Sequence, residues 1–160
     1  MKKKITILPG DGIGKEVTAS GKKVLEQIAD CFGHDFLFDY AVIGHEAIEA
    51  TGNPLPDETL TKLKNCDAIL FGAVGHPKYD NDPSAKVRPE QGLLKMRKEL
   101  GLYANLRPIK LFDELLSASS IKPEVLKGAD ILFFRELTGD VYFGERGRKD
   151  NNDTAYDTMI

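Results

Sequence analysis

Three arginines, Arg97, Arg107 and Arg135, each stand just past an apolar segment able to fix them. A guanidinium presents planar, paired donors matched to a carboxylate and stays charged at any working pH. Three of them converging would hold a small di- or tricarboxylate far better than one surface arginine. Residue type alone also allows ordinary surface ion pairing, which is worth little per pair. Glu90, Leu93, Leu94 and Arg97 fall at helical spacing i, i+3, i+4, i+7 and so share one face. An acid, two leucines and an arginine suit neither a plain core face nor a plain wet one. The other reactive side chains make weaker patterns. His34, His45 and His76 lack metal-ligand spacing, and no H-x-x-x-H pair occurs. Asp80, Asp82, Asp150 and Asp153 read as loop solvation. Cys31 and Cys66 form no disulfide framework, suit a reducing cytoplasm, and each read as a small core-facing residue.

The elements that must position these residues follow from periodicity and punctuation. Ile5–Leu8 is a short strand stopped by Pro9 and the glycines of PGDGIG. A helix follows over 14–32, with apolar positions Val17, Val24, Leu25, Ile28 and Phe32 recurring at helical spacing. Strand, glycine turn and helix predict the opening of an α/β unit. The turn is not the G-x-G-x-x-G dinucleotide fingerprint, because the glycines after Gly10 fall two and four residues on. A Rossmann fold is therefore rejected.

Residues 35–43 alternate as a strand, GHEAIEATG forms a short helix ended by Gly52, and a further helix runs over 57–64 with Asp57 as its cap. Residues 68–74 form a continuous apolar run, as in a parallel strand buried on both faces. A long polar loop with three prolines follows, and such loops are often functional. A helix over 90–100 ends near Gly101, and 103–108 is extended ahead of Pro108. Residues 113–128 are mixed, with one helical turn at 123–127. Residues 129–137 and 140–143 read as strands, and the end is polar until TAYDTMI.

Composition bounds the class. The chain has 160 residues, 41% of them hydrophobic, which is enough for a core, and a net charge of −3 with both signs mixed. Neither a nucleic-acid footprint nor a polybasic membrane patch is present. No apolar run is long enough to span a bilayer, and the apolar run after MKKK is too short for a signal peptide.

Five motifs carry a resemblance: LPGDGIGKEV (8–17), AILFGAVGHPKYD (68–80), RPEQGLLKMR (88–97), NLRP (105–108) and RELTGDVYFGE (135–145). In this order the chain resembles the β-decarboxylating hydroxyacid dehydrogenases, the isocitrate/isopropylmalate dehydrogenase family, and its isopropylmalate branch most closely. The resemblance implies that family's α/β fold, incomplete in this chain. Residues 1–102 would be the N-terminal part of a cofactor-side domain. Residues 103–160 would begin a second, dimer-forming domain with part of a two-stranded arm, whose strands VYF and TAYDTMI match. A whole member is much longer, so the sequence reads as an N-terminal half.

The resemblance also implies NAD-dependent oxidative decarboxylation of 3-isopropylmalate in leucine biosynthesis, by a cytoplasmic homodimer. Arg97, Arg107 and Arg135 would grip the malate part of the substrate, and Leu93 would lie against its isopropyl group, where the isocitrate branch carries a polar residue. Tyr142 would assist protonation of the enol. Ile13, Gly75, His76 and Glu90 would line the cofactor, with Glu90 near the nicotinamide ribose. His76 stands where the family frequently has glycine, and Lys15 where it has proline. Mg²⁺ or Mn²⁺, the lysine base and the adenosine-recognition loop would come from a second half not in this sequence. A related dehydrogenase of tartrate, malate or a longer homologue stays open, as does a non-catalytic fragment that binds dicarboxylate or associates through its arm.

Overall fold

A computed structural model describes residues 1–160 except 81, 83, 140–142 and 160. The chain divides into two compact units, Met1–Leu100 and Gly101–Ile160.

The first unit runs β1 (Lys2–Gly10), α1 (Gly14–Phe32), β2 (Asp35–Tyr40), α2 (His45–Thr51), α3 (Asp57–Lys64), β3 (Ala68–Ala73), α4 (Pro77–Asp80) and α5 (Pro89–Glu99). The strands form a parallel sheet in the order β2-β1-β3. Strand, helix, strand repeats of this kind require parallel pairing, because each helix returns the chain to the same end of the sheet. Leu8, Ile43, Leu55, Leu63 and Met96 are the buried cluster, joined by the partly buried Ile69, Phe71, Leu93 and Leu100. Each such fully buried side chain contributes about 1.5–3 kcal/mol over its exposed state.

Several expectations are corrected here. β1 is longer than residues 5–8, because Lys2, Lys3 and Lys4 pair along their backbone with β2 and place their ammonium groups by Asp35, Asp67 and Asp39. α1 keeps its expected span, but Val17, Val24, Ile28 and Phe32 are exposed; Gly14 and Thr18 are its buried residues. A Cβ at Gly14 would lie 2.7 Å from the Ala73 nitrogen, so only the small-residue stripe lets α1 approach the sheet. Asp57 is the first residue of α3 and does not cap it; Pro56 holds the cap position with no side-chain bond. β3 is half-buried, not covered on both faces. The long loop after it contains the helical turn α4. Cys31 is exposed and Cys66 half-buried, so neither is a core residue.

The second unit holds two antiparallel ladders. β4 (Ala104–Lys110) pairs with β5 (Asp130–Glu136), joined through a 3-10 helix (Asp113–Ala118) and α6 (Pro123–Leu126). Pro108 lacks an N–H and is tolerated because β4, among the described residues, pairs along one edge alone. Every residue of β5 is exposed, including Leu132, Phe133 and Phe134. β6 (Arg146–Lys149) pairs with β7 (Thr154–Asp157) across a turn in which Asp150, Asn151 and Asn152 all have positive φ. Asn and Asp are the non-glycine residues that accept that conformation most readily. The first strand of this hairpin is the charged RGRK; of the arm strand expected at VYF, residues 141 and 142 lie outside the described residues. Of the strand expected over 140–143, residues 140–142 lie outside the described residues, and Phe143 sits in a turn. No helix among the described residues is long and apolar enough to cross a membrane.

Candidate functional site

In the first unit the site residues gather at the carboxyl ends of the strands, where open α/β sheets place their ligand crevices. Ile13 stands at the N-terminal cap of α1 with its side chain 59% exposed. Gly75 follows β3 with φ +137°, and a Cβ there would lie 3.2 Å from Glu90 Oε1. The glycine therefore keeps a backbone surface open beside the exposed Glu90 carboxylate on the first turn of α5. An exposed carboxylate is an acceptor suited to sugar hydroxyls, and an exposed isoleucine suits the flat face of a heteroaromatic ring. These residues fit a nucleotide-type cofactor.

The loop carrying Gly75 and His76 is held at many points. Asp11, only 4% exposed, accepts the His45 N–H at 2.9 Å on Oδ1 and 3.0 Å on Oδ2, and the Gly75 N–H at 2.9 Å on Oδ2. The His45 and His76 rings stack with centroids 3.9 Å apart at 24°. His45 Nδ1 lies 3.1 Å from the hydroxyl of the buried Tyr79, and the Lys78 N–H donates to His76 Nδ1 at 3.2 Å. Lys78 Nζ donates to Glu49 Oε1 at 2.6 Å. That bond, more than the bare charge, holds the Glu49 carboxyl below its ordinary value and the Lys78 ammonium above its own. The far end of the loop is tied by Arg88, whose guanidinium donates to the Tyr79 carbonyl at 2.6 Å and the Asp82 carbonyl at 2.7 Å. The Ser84 hydroxyl and N–H donate to Asp82 Oδ1 and keep that carboxyl low.

α5 starts at Pro89, a favoured first helical residue, and Gln91 Oε1 accepts the Arg88 N–H at 3.1 Å. Arg97 is half-buried on its last turn. Leu93 is half-buried and packs against the core cluster.

In the second unit the ladder register decides the geometry. Asn105 pairs with Arg135, and Arg107 with Phe133. Directly opposite residues share a face, as do alternate residues along a strand, so Arg107, Arg135 and Asn105 project from the same side as diagonal and direct neighbours. Two of the three expected arginines are thus brought together, on one strand pair of the second unit; Arg97 belongs to the first unit. Beyond Arg135, Glu136 accepts the Thr138 hydroxyl and N–H and the Gly139 N–H, which hold its carboxyl below the ordinary range. Tyr142 lies outside the described residues. No group of three or more His, Cys, Asp or Glu that could hold a metal occurs among the described residues.

Asp11, His45, Tyr79 and Arg88 were not singled out from the sequence as site residues. Their contacts join positions far apart in the chain, and no local spacing announces them. Asn105 was within reach, since two-residue alternation with Arg107 in NLRP already placed both on one side of a strand.

Comparison with known proteins agrees with the fold. The isocitrate/isopropylmalate dehydrogenase family model matches residues 4–160. The chain is 56% identical over 161 residues to a 3-isopropylmalate dehydrogenase of Rhodopirellula baltica, covering 99% of this chain and 45% of that protein. It is 50% identical over 164 residues to the 3-isopropylmalate dehydrogenase of Bacillus subtilis, covering 100% and 45%. A β-decarboxylating dehydrogenase from Thermococcus kodakarensis superposes with TM-score 0.66 at 30% identity, over 99% of this chain and 40% of that one. An isocitrate dehydrogenase from Methylococcus capsulatus does so with TM-score 0.72 at 26% identity, over 99% and 42%. The chain spans less than half the length of these relatives. With its parallel βα opening, its motifs in order and a match over nearly every residue, the chain belongs to the isocitrate/isopropylmalate dehydrogenase family.

Proposed function

We propose that this chain carries the substrate grip and part of the cofactor site of an NAD-dependent dehydrogenase that oxidises and decarboxylates 3-isopropylmalate in leucine biosynthesis. The observation that carries the reading is the register of β4 and β5. It sets Arg107 and Arg135 on one face, in a chain at least half identical to two proteins that bear that enzyme's name. Arg107, Arg135 and Arg97 bind and orient the malate carboxylates by paired, charge-assisted hydrogen bonds. Leu93 contacts the isopropyl branch with the part of its surface that the core leaves open. Ile13, Gly75, His76 and Glu90 line the cofactor, Glu90 accepting from ribose hydroxyls. NAD, when bound, supplies the hydride acceptor for C2 of the substrate. Tyr142 donates a proton to the enol left by loss of carbon dioxide, provided its phenol is placed within hydrogen-bond reach. A divalent cation, Mg²⁺ or Mn²⁺, belongs to the family reading, but the described residues offer it no cluster; binding, orientation and proton handling are what this chain supplies. The working form is a cytoplasmic homodimer, to which the β6–β7 hairpin contributes as part of the arm.

The test is turnover of 3-isopropylmalate, isocitrate and D-malate by the full-length protein carrying this chain. Preference for 3-isopropylmalate is expected, and preference for a substrate without the branch would sink the assignment. Residues 1–160 alone are expected to produce no NADH, because the family reading places the lysine base outside them; metal-dependent NADH production by that polypeptide would refute this.

A further inference from the structure

Asp11 is a buried carboxylate whose described hydrogen bonds all come from backbone N–H groups, on two loops distant in sequence. Its own N–H donates to the Ala73 carbonyl at 2.7 Å, which pins the residue to the end of β3. Its side chain then receives His45 N–H and Gly75 N–H. The fit is close: a Cβ on Gly44 would stand 2.4 Å from Oδ2. The consequence reaches one residue further, because the His45 backbone so fixed carries the ring on which His76 stacks. Tyr79 closes the group through its hydroxyl at His45 Nδ1. The loop thus starts from a single carboxylate that sets both Gly75 and His76.

We propose that Asp11 is the positioning residue of the cofactor-side loop, setting Gly75 directly and His76 through the His45 ring. This rests on the reading that Gly75 and His76 line the cofactor. A carboxylate accepts hydrogen bonds only, so both oxygens can face N–H donors; an asparagine of the same shape must turn an NH₂ toward one of them. The substitution therefore loosens one of the two loops while filling the same volume.

In the full-length protein, Asp11→Asn is expected to raise the KM for NAD about tenfold, the loss that follows from giving up one hydrogen bond to a charged group. The KM for 3-isopropylmalate and the thermal midpoint should change little. An unchanged KM for NAD, or equal rises in both KM values with a lowered midpoint, would overturn the proposal in favour of a merely structural carboxylate. Amide hydrogen exchange at Gly75 and His45 provides a readout independent of activity. One of the two amides should exchange about tenfold faster in Asp11→Asn, by the same loss, and unchanged exchange at both would overturn the proposal whatever the kinetics show. A wild-type protein without NAD turnover would instead defeat the functional reading, and the exchange result would still decide the role of Asp11. Should Asp11→Asn fail to fold, His45→Ala keeps the carboxylate's backbone bonds and removes the stacked ring together with its bond to the Tyr79 hydroxyl. The KM for NAD should then rise severalfold, and no rise would overturn the route through His45 to His76.

Discussion

At Arg107 and Arg135 a lysine would keep the charge and lose the planar fork. Under the proposed function, Arg107→Lys or Arg135→Lys in the full-length protein should remove bonds worth about 1.5–3 kcal/mol, a tenfold to hundredfold loss in kcat/KM for 3-isopropylmalate. Steady-state kinetics check this, and the loss should be smaller for the KM of NAD. Leu93 answers to two demands, since it packs against the buried cluster and is assigned the substrate's branch. Leu93→Ala should cut the preference for 3-isopropylmalate over D-malate, because an apolar pocket discriminates by about 1–3 kcal/mol per methylene. It should also cost stability, at most about 2 kcal/mol for a side chain that is only half-buried. The ratio of kcat/KM values and a denaturant titration separate the two effects. The arginines were legible because type and position in a motif point to carboxylates. Asp11 was not, because an aspartate beside glycines reads as turn chemistry until its partners, 34 and 64 residues away, are seen.

Elements bring a different kind of error. The span of α1 was readable from periodicity, but its buried face was not. Val17, Val24 and Ile28 form the more apolar stripe, yet the helix turns Gly14 and Thr18 to the sheet, because close approach to β3 selects for small size over hydrophobicity. α5 poses the same conflict at Gly92. Helix propensity favours alanine there by about 1 kcal/mol, but a Cβ would stand 2.6 Å from the Pro54 carbonyl oxygen. Overpacking against backbone costs about 1–3 kcal/mol, so Gly92→Ala should be net destabilising, as a lowered unfolding midpoint would show. The hairpin β6–β7 was half legible: TAYD is strand-like, whereas RGRK hides a strand behind charge. Between α2 and α4 the Glu49–Lys78 pair makes a pH-dependent link. Glu49 titrates below its ordinary 4.5 when folded, so its contribution is present above about pH 4.5 and fades as pH falls through the lowered value. Lys78 titrates above 10.5, so its side of the link is whole below that pH and is lost only at higher pH. Glu49→Gln should flatten the acid limb of a stability-versus-pH curve near pH 4, with a small amplitude because both groups are exposed.

At the scale of the molecule, apolar side chains stand open in both units: Val24 and Phe32 on α1, Leu132, Phe133 and Phe134 on β5. Exposed apolar side chains of this size, where they gather into patches, mark surfaces that another part of a protein or a partner covers. Residues 1–160 expressed alone should therefore bind a hydrophobic dye and self-associate as concentration rises, which fluorescence and sedimentation would register; a dye-silent monomer would count against this. The sheet order carries a further consequence, for the chain as it is being made. β1 is synthesised first yet lies in the middle, and its Ile5 meets Ala68 only when that residue has emerged roughly sixty positions later. At bacterial-like elongation speeds of roughly 5–20 residues per second, that is a wait of about 3–12 s. Until β2 emerges β1 has two bare edges in a crowded cell, and until β3 follows it still has one. Lys2, Lys3 and Lys4 at its leading end supply the repulsion that discourages a neighbouring nascent chain from pairing there first.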